Sequence, residues 1–87
     1  MTKAEFLKKI KTQKIQTGEY LLVLDHISDA QYIIGCVFDQ GVWKIYKSNE
    51  RGGHYVIRDF EEENQAFDYF YEFILNKFYK NKKIHIR

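Results

Sequence analysis

GVWKIYKSNERGGHYVIRDFEEENQAFDYFYEFILNKF, residues 41–78, is the stretch whose reading decides the fold of this 87-residue chain. Residues 42–47 are β-branched and aromatic around Trp43 and read as a strand. Asn49, Glu50, Arg51, Gly52 and Gly53 spell a turn, because the two glycines take positive φ without a Cβ penalty. Residues 54–58 return as a second strand. Asp59 then stands where a helix needs an N-cap, and Glu61, Glu62 and Glu63 favour the positive end of a helix dipole, so a helix is expected from near Phe60. Ala66, Phe67, Phe70, Phe73, Ile74 and Phe78 share one broad face of it. That face is too apolar to stay in water, and the helix is expected to lie across the sheet.

Working towards the N-terminus, residues 32–38 form another β-branched and aromatic run, and Asp39-Gln40-Gly41 supplies the glycine that a tight hairpin requires. Residues 26–31 read as a loop. The short apolar run within residues 19–25 fits a buried strand, but whether residues 20–25 are strand or helix is not separated by periodicity alone. At the start of the chain, Thr2 with Glu5 three positions on makes a capping box. Ala4, Phe6, Leu7 and Ile10 then form one stripe of a first helix that Gly18 is expected to stop. The expected fold is α+β in a single domain, residues 1–87: an N-terminal helix, a three- or four-stranded antiparallel meander, and a long C-terminal helix packed on one face of the sheet.

A chain of this length buries only about 60% of its unfolded surface, which leaves no room for a two-domain enzyme with an interdomain cleft. Hydrophobic residues make up 45% of it and aromatic residues 17%, well above the disordered range. The core is therefore expected to be built from Phe, Tyr and Ile. Cys36 is the only cysteine and has no internal disulfide partner, and no apolar run reaches the length of a membrane span or a signal peptide. A reduced, cytoplasmic setting is the expectation.

The net charge of +2 conceals a division. Residues 1–14 hold Lys3, Lys8, Lys9, Lys11 and Lys14 against Glu5, a net +4, and residues 77–87 hold Lys77, Lys80, Lys82, Lys83 and Arg87, a net +5. Between them, Lys44, Lys47, Arg51 and Arg58 face eleven acidic residues, a net −7. Basic ends around an acidic body admit three readings: nucleic-acid contact through the ends, a basic partner on the body, or plain solvated surface.

The residue types that carry chemistry are present but scattered. His26, His54 and His85 lack the close spacing that lets two imidazoles share a metal, and Cys36 sits inside an apolar strand, where a thiol behaves as a small hydrophobe. Ser28 and Ser48 have no nucleophile-elbow context. The carboxylates Glu61, Glu62 and Glu63 are already accounted for by the helix start. No enzyme, cofactor or metal is expected. Trp43 reads as core, and Tyr46 and Tyr55 are expected to stand near each other across the hairpin.

Glu50 and Arg51 are different, since a turn with two glycines already has its geometry and does not need large charged side chains. Their bland reading is a local surface ion pair, worth about 0–1 kcal/mol; the functional reading is presentation to a partner. The lysines at the C-terminal end, with Tyr79 among them, could instead track a phosphate backbone. A helix C-terminus and solubility also favour cations there.

The order Gly41-x-Trp43-x-x-Tyr46, then Glu50-Arg51-Gly52, then Phe60, Glu62 and Ala66 ahead of an aromatic helix resembles small immunity proteins of bacterial polymorphic toxin systems, of the kind catalogued as immunity protein 59. The resemblance is confined to residues 41–78. The chain departs from it at Ser48 and Asn49, where an aromatic or aliphatic residue is expected, and in its basic tail. The resemblance implies a non-catalytic cytoplasmic antitoxin that binds a cognate protein toxin, often basic, and occludes its active site. The residues expected to meet that partner are Glu50, Arg51, Glu61, Glu62 and Glu63. The alternative is a small nucleic-acid-binding or regulatory protein that uses its lysine-rich termini.

Overall fold

A computed structural model describes residues 1–79. The chain runs α1 (Lys3–Thr12), β1 (Leu21–Val23), β2 (Ile33–Asp39), β3 (Val42–Ser48), β4 (His54–Phe60) and α2 (Glu63–Phe78), with the strands side by side in the order β1-β2-β3-β4. This is the α+β arrangement expected, with one change. β1 lies parallel to β2, pairing Leu21 with Ile33 and Val23 with Gly35, so the sheet is mixed rather than an all-antiparallel meander. The apolar run before residue 25 is thus a strand, and residues 24–32 cross back over the sheet. That is shorter than the roughly dozen residues such a connection usually takes.

The sequence of α1 is legible at its start. Thr2 Oγ1 accepts from the Glu5 N–H at 3.1 Å, and Glu5 Oε1 accepts from the Thr2 N–H at 2.7 Å. Its end is not at Gly18. Lys14 takes a left-handed φ of 53°, and the bonds Lys14 N–H to Lys11 O (3.2 Å) and Ile15 N–H to Ile10 O (3.0 Å) close a Schellman motif.

β2 is buried from Ile33 to Val37 on both of its faces, which is why it reads as a continuous apolar run. Gln40 and Gly41, both at positive φ (53° and 83°), form the two-residue loop to β3. β3 pairs with β4 in a register that slips between Ile45 and Tyr46, leaving Ile57 as the extra residue of a bulge. Tyr46 therefore faces Val56 and Lys47 faces Tyr55, so the expected Tyr46–Tyr55 pair is not made.

β4 continues to Phe60, because Asp59 and Phe60 still pair with Lys44 and Trp43. Asp59 is consequently a strand residue and not a helix cap. α2 starts at Glu63 with Glu62 at the N-cap, whose side chain makes no capping bond. Of the three glutamates only Glu63 lies in the first turn.

Two layers of apolar side chains flank the sheet. On one face, Phe6 from α1 packs its ring 5.3 Å from Phe67 and 5.2 Å from Phe70 of α2, over Ile34, Cys36 and Ile45. Trp43 is half-buried against Phe67, at 5.5 Å between centroids. The helix face foreseen in the sequence is buried at Ala66, Phe67, Phe70 and Ile74, with Phe73 and Phe78 half-buried. The other face holds Ile33, Val37 and Tyr46, covered by the crossing segment through Ile27. No helix among the described residues is long and apolar enough to cross a membrane.

Candidate functional site

The β3–β4 tip is built by backbone bonds, and charge is placed on top of them. Asn49 N–H donates to Gly53 O at 2.9 Å and Gly52 N–H to Asn49 O at 3.1 Å. Gly52 (φ 95°) and Gly53 (φ 79°) occupy the left-handed region that side chains avoid. Gly53 N–H then reaches out of the hairpin to Asp29 O at 3.0 Å, and His54 Nδ1 meets Asp29 Oδ1 at 2.6 Å. The tip is thereby tied to the crossing segment, which is itself held to the sheet: Tyr46 Oη donates to His26 O at 3.0 Å and accepts from Ser28 N–H at 3.1 Å. A turn held from two sides presents its side chains in a fixed direction. Preorganisation of that kind lowers the entropy lost on binding.

Glu50 and Arg51 project from this turn into solvent. The local ion pair that the sequence allowed for them is not formed, and neither takes part in an ion pair among the described residues. Chemically, Arg51 is a planar fork that suits a carboxylate and Glu50 an acceptor that suits a cation.

Glu61 and Glu62 are exposed where β4 passes into α2, and Glu63 is half-buried there with Oε2 accepting from the Lys3 N–H at 2.8 Å. Glu63 therefore serves the N-terminus of α1. Glu50 and Arg51 stand at one end of β4 and the glutamates at the other, and seven strand residues separate them, a span of roughly 20 Å. The five residues singled out in the sequence form two charged sites and not one cluster.

Other candidates acquire structural roles. Ser48 is buried and its hydroxyl accepts from the Ile33 N–H at 2.7 Å. Ser28 Oγ accepts from the Ala30 N–H at 3.2 Å. Cys36 is fully buried, and burial pushes its thiol up to about 12, which removes the thiolate that nucleophilic chemistry needs. Among the described residues no three His, Cys, Asp or Glu side chains are placed to hold a metal ion. Lys80, Lys82, Lys83, His85 and Arg87 lie outside the described residues.

Sequence reasoning missed Asp29 as the partner of His54, because nothing local links residues that far apart. It also missed that Lys47 of β3 and Lys77 of α2 converge on the Tyr20 ring, with Nζ atoms 5.3 and 4.9 Å from its centroid. In comparisons with known proteins, no family model, no curated protein and no solved structure matches this chain.

Proposed function

We propose that this chain is a non-catalytic binding protein: a cytoplasmic immunity protein that neutralises a cognate protein toxin by direct contact. The observation that carries the reading is the Glu50–Arg51 tip, two exposed charges in no ion pair among the described residues, on a turn clamped through Gly53 and His54 to Asp29. Large charged side chains add nothing to such a turn, whereas a partner that desolvates them gains orientation and specificity. The resemblance of residues 41–78 to polymorphic-toxin immunity proteins points the same way. So does the net −7 between residues 15 and 76, which would attract a basic toxin domain through long-range steering. The test is co-expression with the toxin domains encoded beside its gene. The chain should restore growth with one of them, and Arg51→Ala combined with Glu50→Gln should lose that protection while melting at the same temperature. Failure to protect against any neighbouring toxin would remove the immunity reading.

A second reading, nucleic-acid or regulatory binding through the lysine-rich termini, draws on the sequence of residues 77–87. Its signature would be affinity that falls log-linearly with salt.

A further inference from the structure

Lys47 and Lys77 converge on one aromatic ring with no carboxylate paired to either among the described residues. Lys47 extends from β3, one position before the buried Ser48, and Lys77 from the last turn of α2; both are half-buried. Their Nζ atoms lie 5.3 and 4.9 Å from the centroid of the same ring, Tyr20, which Tyr32 contacts edge-on at 5.7 Å and Phe78 at 6.0 Å. Among the described residues neither ammonium is in an ion pair. Lys3 and Lys44, by contrast, bond Asp25 and Asp39, each at 2.9 Å.

The carboxyl end of α2 offsets part of the Lys77 charge, and the Tyr20 face attracts cations. Neither is a full counter-charge for two ammonium groups. Burial, and after it a hydrogen-bonding contact with Lys47, holds Lys77 below the ordinary lysine value, while that same contact, with a further one to Tyr20, holds Lys47 above it, so the pair favours one ammonium bonded to one amine. An anion seated beside the two would favour the ammonium form of both, in a partly desolvated site where charge-assisted hydrogen bonds are strong.

From this convergence we infer that Lys47, Lys77 and Tyr20 form a binding site for a phosphoryl group. The chemistry is that of a compact tetrahedral oxyanion with oxygens enough for both ammonium groups. It belongs either to a small phosphate monoester or to the backbone of a nucleic acid. The site is independent of the Glu50–Arg51 tip, so it stands or falls without the immunity reading.

The experiment titrates the full chain with inorganic phosphate, adenosine monophosphate and a single-stranded oligothymidylate without terminal phosphates, at ionic strength held constant with chloride. Amide shifts of Tyr20, Lys47 and Lys77 and the melting temperature are followed. Phosphate should shift those amides and raise the melting temperature. Lys77→Gln should weaken binding about tenfold or more, and should melt close to the parent temperature in phosphate-free buffer, since Lys77 is in no ion pair among the described residues. Equal binding of phosphate and adenosine monophosphate, with none of the oligonucleotide, assigns the site to small monoesters. Tighter, steeply salt-dependent binding of the oligonucleotide assigns it to a nucleic-acid backbone. The inference is overturned if none of the three perturbs these amides, or if Lys47→Gln and Lys77→Gln bind as the parent does.

Discussion

Tyr46 occupies the space that any side chain at Gly35 would need. The two residues face each other across β2 and β3, and a Cβ at Gly35 would lie 2.4 Å from Tyr46 Cε1 and 2.2 Å from the Val23 carbonyl oxygen. The missing side chain lets the phenol pass over β2 and bond the crossing segment at His26 and Ser28. One glycine thus decides how the second face of the sheet is closed, and through Asp29 how the charged tip is held.

Gly35→Ala should therefore destabilise the protein by about 3 kcal/mol or more, since a backbone carbonyl of β1 has to move. Tyr46→Phe should cost about 1–3 kcal/mol by orphaning the Ser28 N–H and His26 carbonyl. Chemical denaturation measures both. Amide exchange at Gly53 should quicken in Tyr46→Phe, because its acceptor Asp29 belongs to the freed segment.

Phe67→Ala and Phe70→Ala should each cost about 3–5 kcal/mol, as both rings are fully buried between α1, α2 and the sheet. For a domain of this size that corresponds to a fall in melting temperature of at least about 12 °C. Melting within a few degrees of the parent would mean that the helix does not bury this face.

Lys14→Gly should stabilise the protein. A non-glycine residue in the left-handed region costs roughly 1–2 kcal/mol, and Lys14 carries that cost at the Schellman position of α1. Glycine removes it but returns about 0.4–1 kcal/mol through a freer unfolded chain. The net gain, about 0.5–1 kcal/mol, is readable as a shifted denaturation midpoint.

Acid should weaken the N-terminal attachment in a defined direction. The Thr2 N–H bond holds Glu5 below its ordinary 4.5, and the Lys3 ammonium holds Asp25 below its ordinary 3.8. Depressed folded values mean that the stabilisation is complete above those ordinary values and is lost as the pH falls through the folded ones. Both groups are solvent-exposed, so the effect is small and screened by salt. Melting curves below pH 4.5 should be less acid-sensitive in a Glu5→Gln, Asp25→Asn variant than in the parent.

The parts of this fold that could be read from sequence are those written in local pattern. Thr2 with Glu5, Gln40-Gly41, Gly52-Gly53 and the Phe67–Phe70 face each state their geometry within a few residues. What could not be read depends on pairing at long range. The direction of β1 follows from the route of residues 24–32, which carry no periodic signal. The start of α2 was misplaced because Asp59 and Phe60 are claimed by Lys44 and Trp43 across the ladder. At the candidate site, Glu50 and Arg51 were identifiable because their turn has no structural need of them. Glu63 looked like their companion until its bond to the Lys3 N–H gave it another task.

The central claim is that the clamped tip is the surface that meets the partner, and the dissociation rate of Arg51→Ala tests it most directly. With the captured toxin domain, Glu61→Gln with Glu62→Gln serves as the control, since distant charge should act on association and its salt dependence. Arg51→Ala should dissociate about tenfold faster or more, with its melting temperature unchanged and its association rate close to the parent's. A dissociation rate equal to the parent's at both low and moderate salt would contradict the account.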